Sequence, residues 1–231
     1  QQTAVLLERL ERLLAIQREV DALATRVLAH RLDAAAIPAG PPRRDLLRVH
    51  FAAAAQLVEL TARLRASQAE LVRIAAYTLR DDPQATAALL DMLARERSAV
   101  GAEVVSEWLL LPPAETPAAA SRLRRDVLAL FRAAPSASLV TCVARYLDRV
   151  GPTGVELLDA AETLRTLGLP QDPRPEDEAT ALPPPITAAE LRKRLAALDA
   201  SELSAADGGR YHAHCSWLDE RIAHGVTGET Y

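Results

Sequence analysis

The stretch TAVLLERLERLLAIQREVDALATRVLAHRLDAAA, residues 3–36, decides the fold class. Leu6, Leu10, Leu13, Val20 and Val27 recur at spacings of four, three and seven residues, the period of one helix face. A second stripe through Leu7, Leu14, Ile16, Leu23 and Leu28 widens the apolar face beyond a two-stranded seam. A face that broad calls for two neighbours, which predicts a bundle rather than a simple coiled coil. Glu8 and Arg12 form an i,i+4 pair on the outer side, and Pro38, Gly40, Pro41 and Pro42 forbid continuation.

Working outward, the next helix is expected over 43–80, through Leu46, Leu47, His50, Leu57, Leu60, Leu64, Leu71, Ile74 and Leu79. Its run Ala52 to Ala55 removes bulk and lets a neighbour approach closely. Asp82 as N-cap with Pro83 at the first helical position then starts a third helix. Leu89, Leu93, Val100, Val104, Trp108 and Leu111 mark its expected buried stripe, with Gly101 in mid-helix. Each of the three would be about 45–55 Å long at 1.5 Å per residue. Short links make neighbours antiparallel, so the expected all-α architecture begins with an elongated antiparallel bundle of three long helices over 1–111. Replacing Leu13, Leu57 or Leu93 by Ala is then expected to cost about 2–5 kcal/mol each.

Shorter helices follow over 112–169: one capped by Thr116 with Pro117, one opened by Ser136 or Ser138, and one after Gly151-Pro152 that ends at Gly168. Residues 170–185 hold the acidic patch Asp172, Glu176, Asp177 and Glu178 among prolines, which predicts a tether. Beyond it, 186–231 reads as a helical tail. Thr187 and Glu190 form a capping box ahead of Leu191, Leu195 and Leu198. Asp207-Gly208-Gly209 is read as a turn before a last helix from Tyr211 to His224. This tail is too small to hold a core of its own and needs a surface to lie on.

Composition narrows the function. Apolar residues make up 49% and charged residues 25% of the 231, enough for an ordinary globular core, while aromatics are only 3%, so Leu, Val and Ala must fill it. The net charge of -4 argues against a dedicated nucleic-acid protein. Arginine supplies nearly all positive charge, with Lys193 the single lysine, as a GC-rich coding sequence would give. The clusters Arg43, Arg44, Arg48 and Arg122, Arg124, Arg125 are accordingly read as solvated helix faces. Cys142 and Cys215 lie in separate segments and suggest no disulfide framework. The apolar runs are broken by charge well short of a membrane span, so no membrane association and a cytoplasmic location are expected. The chain begins at Gln1 rather than Met, which leads us to expect a segment upstream.

Chemical motifs are thin. Gly-x-Ser-x-Gly, P-loop and dinucleotide signatures are missing, and Cys142 lies between apolar neighbours where an inert thiol is expected. No catalytic residue and no cofactor is therefore assigned. The densest reactive cluster is in the tail, where His212, Cys215 and Asp219 share one arc of a helix and Glu220 and His224 form a second pair. These are acceptable zinc ligand types, but no second ligand set accompanies them. The bland alternative turns Tyr211, His214, Leu218 and Ile222 inward. His30 and His50 could face each other across the first turn.

The function expected from these features is protein–protein interaction, as an adaptor, regulatory subunit or self-assembling scaffold, with a protein partner or a second copy. Leu191, Leu195, Tyr211, Trp217, Leu218 and Ile222 of the tail are its candidate contact residues. One alternative is a small-molecule-sensing domain with a pocket between bundle helices near His50 or Tyr77. The other is a metal site at His212, Cys215 and Asp219.

Overall fold

A computed structural model describes residues 2–29, 40–169 and 185–227. Among these the fold is all-helical, with no strand. The chain divides into two compact units, 1–79 and 80–231.

The first unit is a hairpin of two long helices, α1 (Gln2–Ala29) and α2 (Pro41–Leu79). At 28 and 39 residues they run about 42 and 58 Å. Arg65 of α2 donates to Asp21 of α1 at 3.5 Å and fixes the register. Counting back in opposite directions from that pair sets Leu14 against Val72 and Leu10 against Ala76, all of them buried. Gln17 and Gln68 add a buried polar layer to the same seam. The outer face carries the expected Arg12–Glu8 pair at 2.6 Å.

The second unit holds α3 (Pro83–Arg95), α4 (Ala99–Val105), α5 (Pro117–Ala133), α6 (Ser138–Arg149), α7 (Gly154–Leu167), α8 (Ala188–Ala196) and α9 (Ala205–Thr227). α5 and α7 lie together at its centre, α3 and α4 pack on α5, and α6 packs on α7. Phe131, Leu128, Tyr146, Leu147 and Leu158 are fully buried there. α8 and α9 pair with each other and both contact α7.

The third long helix expected over 83–111 is broken. Asp82 caps α3 as expected, its carboxylate accepting from the amides of Gln84 and Ala85 at 3.0 and 3.1 Å. The helix then stops at a Schellman motif: the amide of Ser98 donates to the carbonyl of Leu93, and that of Arg97 to Ala94. This closure needs a left-handed residue at 97, and Arg97 takes φ 50°. Ser98 then caps α4, its hydroxyl accepting from the amide of Gly101 at 2.9 Å. A 3-10 turn over Ser106–Leu109 finishes the segment, and Leu111, expected in the buried stripe, is 80% exposed. Three long helices thus become two.

Two further boundaries differ or agree for local reasons. α9 runs straight through Gly208-Gly209, because Ser204 opens it: its hydroxyl accepts from the amide of Asp207 at 3.2 Å and donates to that residue's carboxylate at 2.6 Å. A cap worth about 1 kcal/mol offsets much of the helix penalty of a glycine. At the end of α7, Gly168 takes φ 84°, as the left-handed terminus requires. Of the expected tether at 170–185, residues 170–184 lie outside the described residues.

Arg97→Gly is expected to raise unfolding free energy by roughly 0.5–1 kcal/mol, because the left-handed penalty of about 1–2 kcal/mol exceeds the extra entropy glycine loses. Denaturant titration with an unchanged m-value checks it. Leu93 is fully buried whereas Leu13 and Leu57 are only half-buried. Leu93→Ala should therefore cost about 2–5 kcal/mol, and Leu57→Ala clearly less, in the same titration.

Candidate functional site

α7 carries an acid among apolar neighbours, in the run Leu157-Leu158-Asp159-Ala160-Ala161. Only 6% of the Asp159 side chain is exposed, so its charge needs partners. Arg125 of α5 donates from Nε to one carboxylate oxygen at 2.7 Å. Arg210 of α9 donates to the other at 2.6 Å. Arg210 also reaches Glu162 at 2.6 Å and Asp207 at 3.3 Å. Arg132 donates to the Asp159 carbonyl at 3.2 Å and to the Thr163 hydroxyl at 3.0 Å. Three helices far apart in sequence meet at this one carboxylate. Burial acts to lower the pKa of Arg210, but its hydrogen bonds to Asp159 and Glu162 outweigh that and hold it above the ordinary guanidinium value.

One turn beyond Arg210, His214 is 4% exposed and its Nδ1 has no hydrogen-bond partner. Burial holds its pKa below the usual imidazole value. Farther along α9, Arg165 of α7 stacks over the ring of Trp217, 5.6 Å from its centroid. Arg221 donates to the Leu169 carbonyl. α8 is fastened too: Arg194 donates to the Leu147 carbonyl at 2.7 Å and to Asp148 at 2.6 Å. The tail docks on its own body.

That docking consumes half of the expected contact residues. Leu191, Leu195 and Leu218 are fully buried, while Tyr211, Trp217 and Ile222 are half-buried. The candidate metal ligands do not converge. His212 is exposed, Cys215 is buried, and Asp219 accepts from Arg192 at 2.8 and 3.5 Å. A hydrogen bond with Cys215, followed by burial, raises the pKa of Tyr211. Among the described residues no group of three or more His, Cys, Asp and Glu side chains could hold a metal ion. His30 and the side chain of His224 lie outside the described residues. His50 is half-buried and meets Phe51 edge-on at 6.0 Å, and Tyr77 is exposed on the outside of α2.

The apolar surface left to solvent is on the hairpin. Of ten exposed large apolar residues among those described, nine belong to α1 and α2. On α1, Val5, Ile16 and Leu23 fall at intervals of eleven and seven residues, three and two helical turns, and form one stripe. On α2, Val49, Leu60 and Ile74 form another by the same arithmetic. At about 100° per residue, and with the two helices antiparallel, both stripes flank the seam on one broad side of the hairpin. Half-buried Leu13, Val20, Leu64 and Leu71 fill the space between them. Phe51 and Val58 project from the opposite side, among alanines and charged residues.

Sequence periodicity marked the width of these stripes but not which part stays uncovered. The carboxylate at 159 was missed, although an acid inside an apolar helical run was the available signal. Arg124 and Arg125, read as solvated, are engaged: Arg124 donates to the Leu109 carbonyl at 3.0 Å and Arg125 to Asp159. No helix among the described residues is long and apolar enough to cross a membrane. Compared with models of protein families, with curated proteins and with solved structures, the chain matches none.

Asp159→Asn keeps the shape but removes the charge shared by Arg125 and Arg210. We expect a loss of about 2–3 kcal/mol, below the 3–5 kcal/mol of a fully buried pair because Arg210 keeps Glu162 and Asp207. Arg125→Ala leaves one buried oxygen of Asp159 without its donor, and because the guanidinium is half in solvent the loss should fall at the lower end of about 1–3 kcal/mol. Thermal melts of the two variants check the order.

Proposed function

We propose that this chain is a protein–protein interaction module that self-assembles through its helical hairpin. The observation that carries the reading is the broad apolar side of α1 and α2, where Ile16 is 51% and Leu60 47% exposed. A two-helix seam can cover only a narrow stripe of each helix, and these sequences carry wide ones. A second hairpin of the same length supplies the two missing neighbours and completes a four-helix section. Two-fold pairing is self-complementary, so one apolar face serves both copies, and it is the commonest form of soluble assembly. The second unit, whose own apolar residues are largely buried, is then carried by the assembly as its regulatory or binding part.

The test pairs two kinds of substitution. Ile16→Glu with Leu60→Glu places charge on the broad apolar side at positions already open to water in the single chain. Val58→Glu places charge on the opposite side. Sedimentation equilibrium should give a dimer for the native chain and for Val58→Glu, and a monomer of unchanged helicity for Ile16→Glu/Leu60→Glu. A native chain that stays monomeric at high micromolar concentration, or a dimer indifferent to all three changes, contradicts the proposal.

A further inference from the structure

α8 and α9 are held on α7 by a mixture of apolar burial and charge, and one titratable group in that contact keeps a ring nitrogen with neither a partner nor water. His214 lies on the face of α9 that meets α7, 4% exposed, with Nδ1 unpartnered. Its surroundings are crowded with charge already committed elsewhere. From α7 come Glu162, Asp159 and Arg165, and from its own helix Arg210. Glu162 and Asp159 are bound by Arg210, and Arg125 of α5 holds the second oxygen of Asp159. Arg165 is stacked over Trp217. A proton arriving at Nδ1 of His214 thus finds no acceptor and no water there, and the pull of Glu162 and Asp159 is opposed by the guanidiniums of Arg210 and Arg165.

We infer that the docking of α8 and α9 on α7 is proton-gated, the docked form requiring a neutral His214 and mild acid releasing the pair. Release would uncover the faces of α8 and α9 that rest on α7, and with them the matching surface of α7. Those faces would become available only in acid.

The sign follows from linkage. Burial lowers the imidazole pKa in the docked form, with Arg210 and Arg165 acting in the same direction and Glu162 and Asp159 opposing. The undocked imidazole, free in water, titrates near its ordinary value of about 6.5. Below that value the undocked form binds a proton that the docked form excludes. Docking is at full strength above the ordinary value and weakens as pH falls through it toward the lower docked pKa. His is the side chain whose ordinary titration lies in this window, well above that of carboxylates.

The test is hydrogen–deuterium exchange on the full chain at about pH 7.5 and about pH 5.5, corrected for the intrinsic pH dependence of exchange and bracketing ordinary imidazole titration. Protection of 188–196 and 205–223 should fall several-fold at the lower pH while α5 keeps its own. In His214→Gln, which cannot titrate, that difference should vanish. Equal protection of the native tail at both pH values, or an equal fall in His214→Gln, overturns the inference. If His214→Gln leaves the tail unprotected at both pH values, the imidazole titration of the native chain, followed by NMR, decides. A midpoint below the ordinary value that coincides with loss of tail protection supports the gate, and a midpoint at or above it overturns it.

Discussion

Asp159 is a charge in a place built for apolar side chains, and the second unit is organised around neutralising it. A carboxylate taken out of water is costly unless its oxygens are satisfied. Here one oxygen is held from α5 and the other from α9, so the residue cannot be comfortable unless both helices are in position. The apolar contacts of Leu191, Leu195 and Leu218 supply area, but area is non-directional. The carboxylate adds the direction: it selects the placement of α9 in which Arg210 arrives beside it. The remaining bonds of Arg210 to Glu162 and Asp207 extend the same point of fixation along two helices.

The hairpin follows the opposite logic. Among its described residues the pairs Arg12–Glu8, Arg63–Glu59 and Arg65–Asp21 are open to water, and its seam relies on small and aliphatic residues with a polar layer at Gln17 and Gln68. Buried polar residues within a helical seam restrict register at some expense in stability. Two helices aligned in this way leave their outer stripes in water, and the long side chains there are Ile, Leu and Val rather than Lys or Glu. One unit of the chain is therefore closed by its own tail, while the other keeps a broad apolar face open to water. This division underlies the reading of the hairpin as the assembling part.

How much of this was legible beforehand depends on whether a feature is local. The starts of α3, α5 and α8 were readable because Asp82, Thr116 and Thr187 each place a side-chain oxygen on an amide two or three residues ahead. The end of α3 was not. Left-handed termini are normally announced by glycine, and here Arg97 takes that conformation, so the apolar period seemed to run on to Leu111. Gly208-Gly209 misled in the other direction, since Ser204 and Asp207 hold the helix start together in spite of them. The site at Asp159 joins residues 34 and 51 positions away, and no local pattern records such a pairing. Helices and caps are recorded within a few residues of chain, whereas contacts between helices arise only when the chain is folded.

Asp159 and Arg210 act as a unit in fastening α9 to α7, and a double-mutant cycle measures the coupling between them. Unfolding free energies of the native chain, Asp159→Asn, Arg210→Gln and the double variant give the coupling between the two side chains. Groups in contact within one hydrogen-bonded network couple by about 0.5–3 kcal/mol, and the geometry here predicts a value in the upper half of that range. Additive effects, with a coupling below about 0.3–0.5 kcal/mol, would mean that the two charges do not cooperate and that α9 is held by its apolar contacts alone.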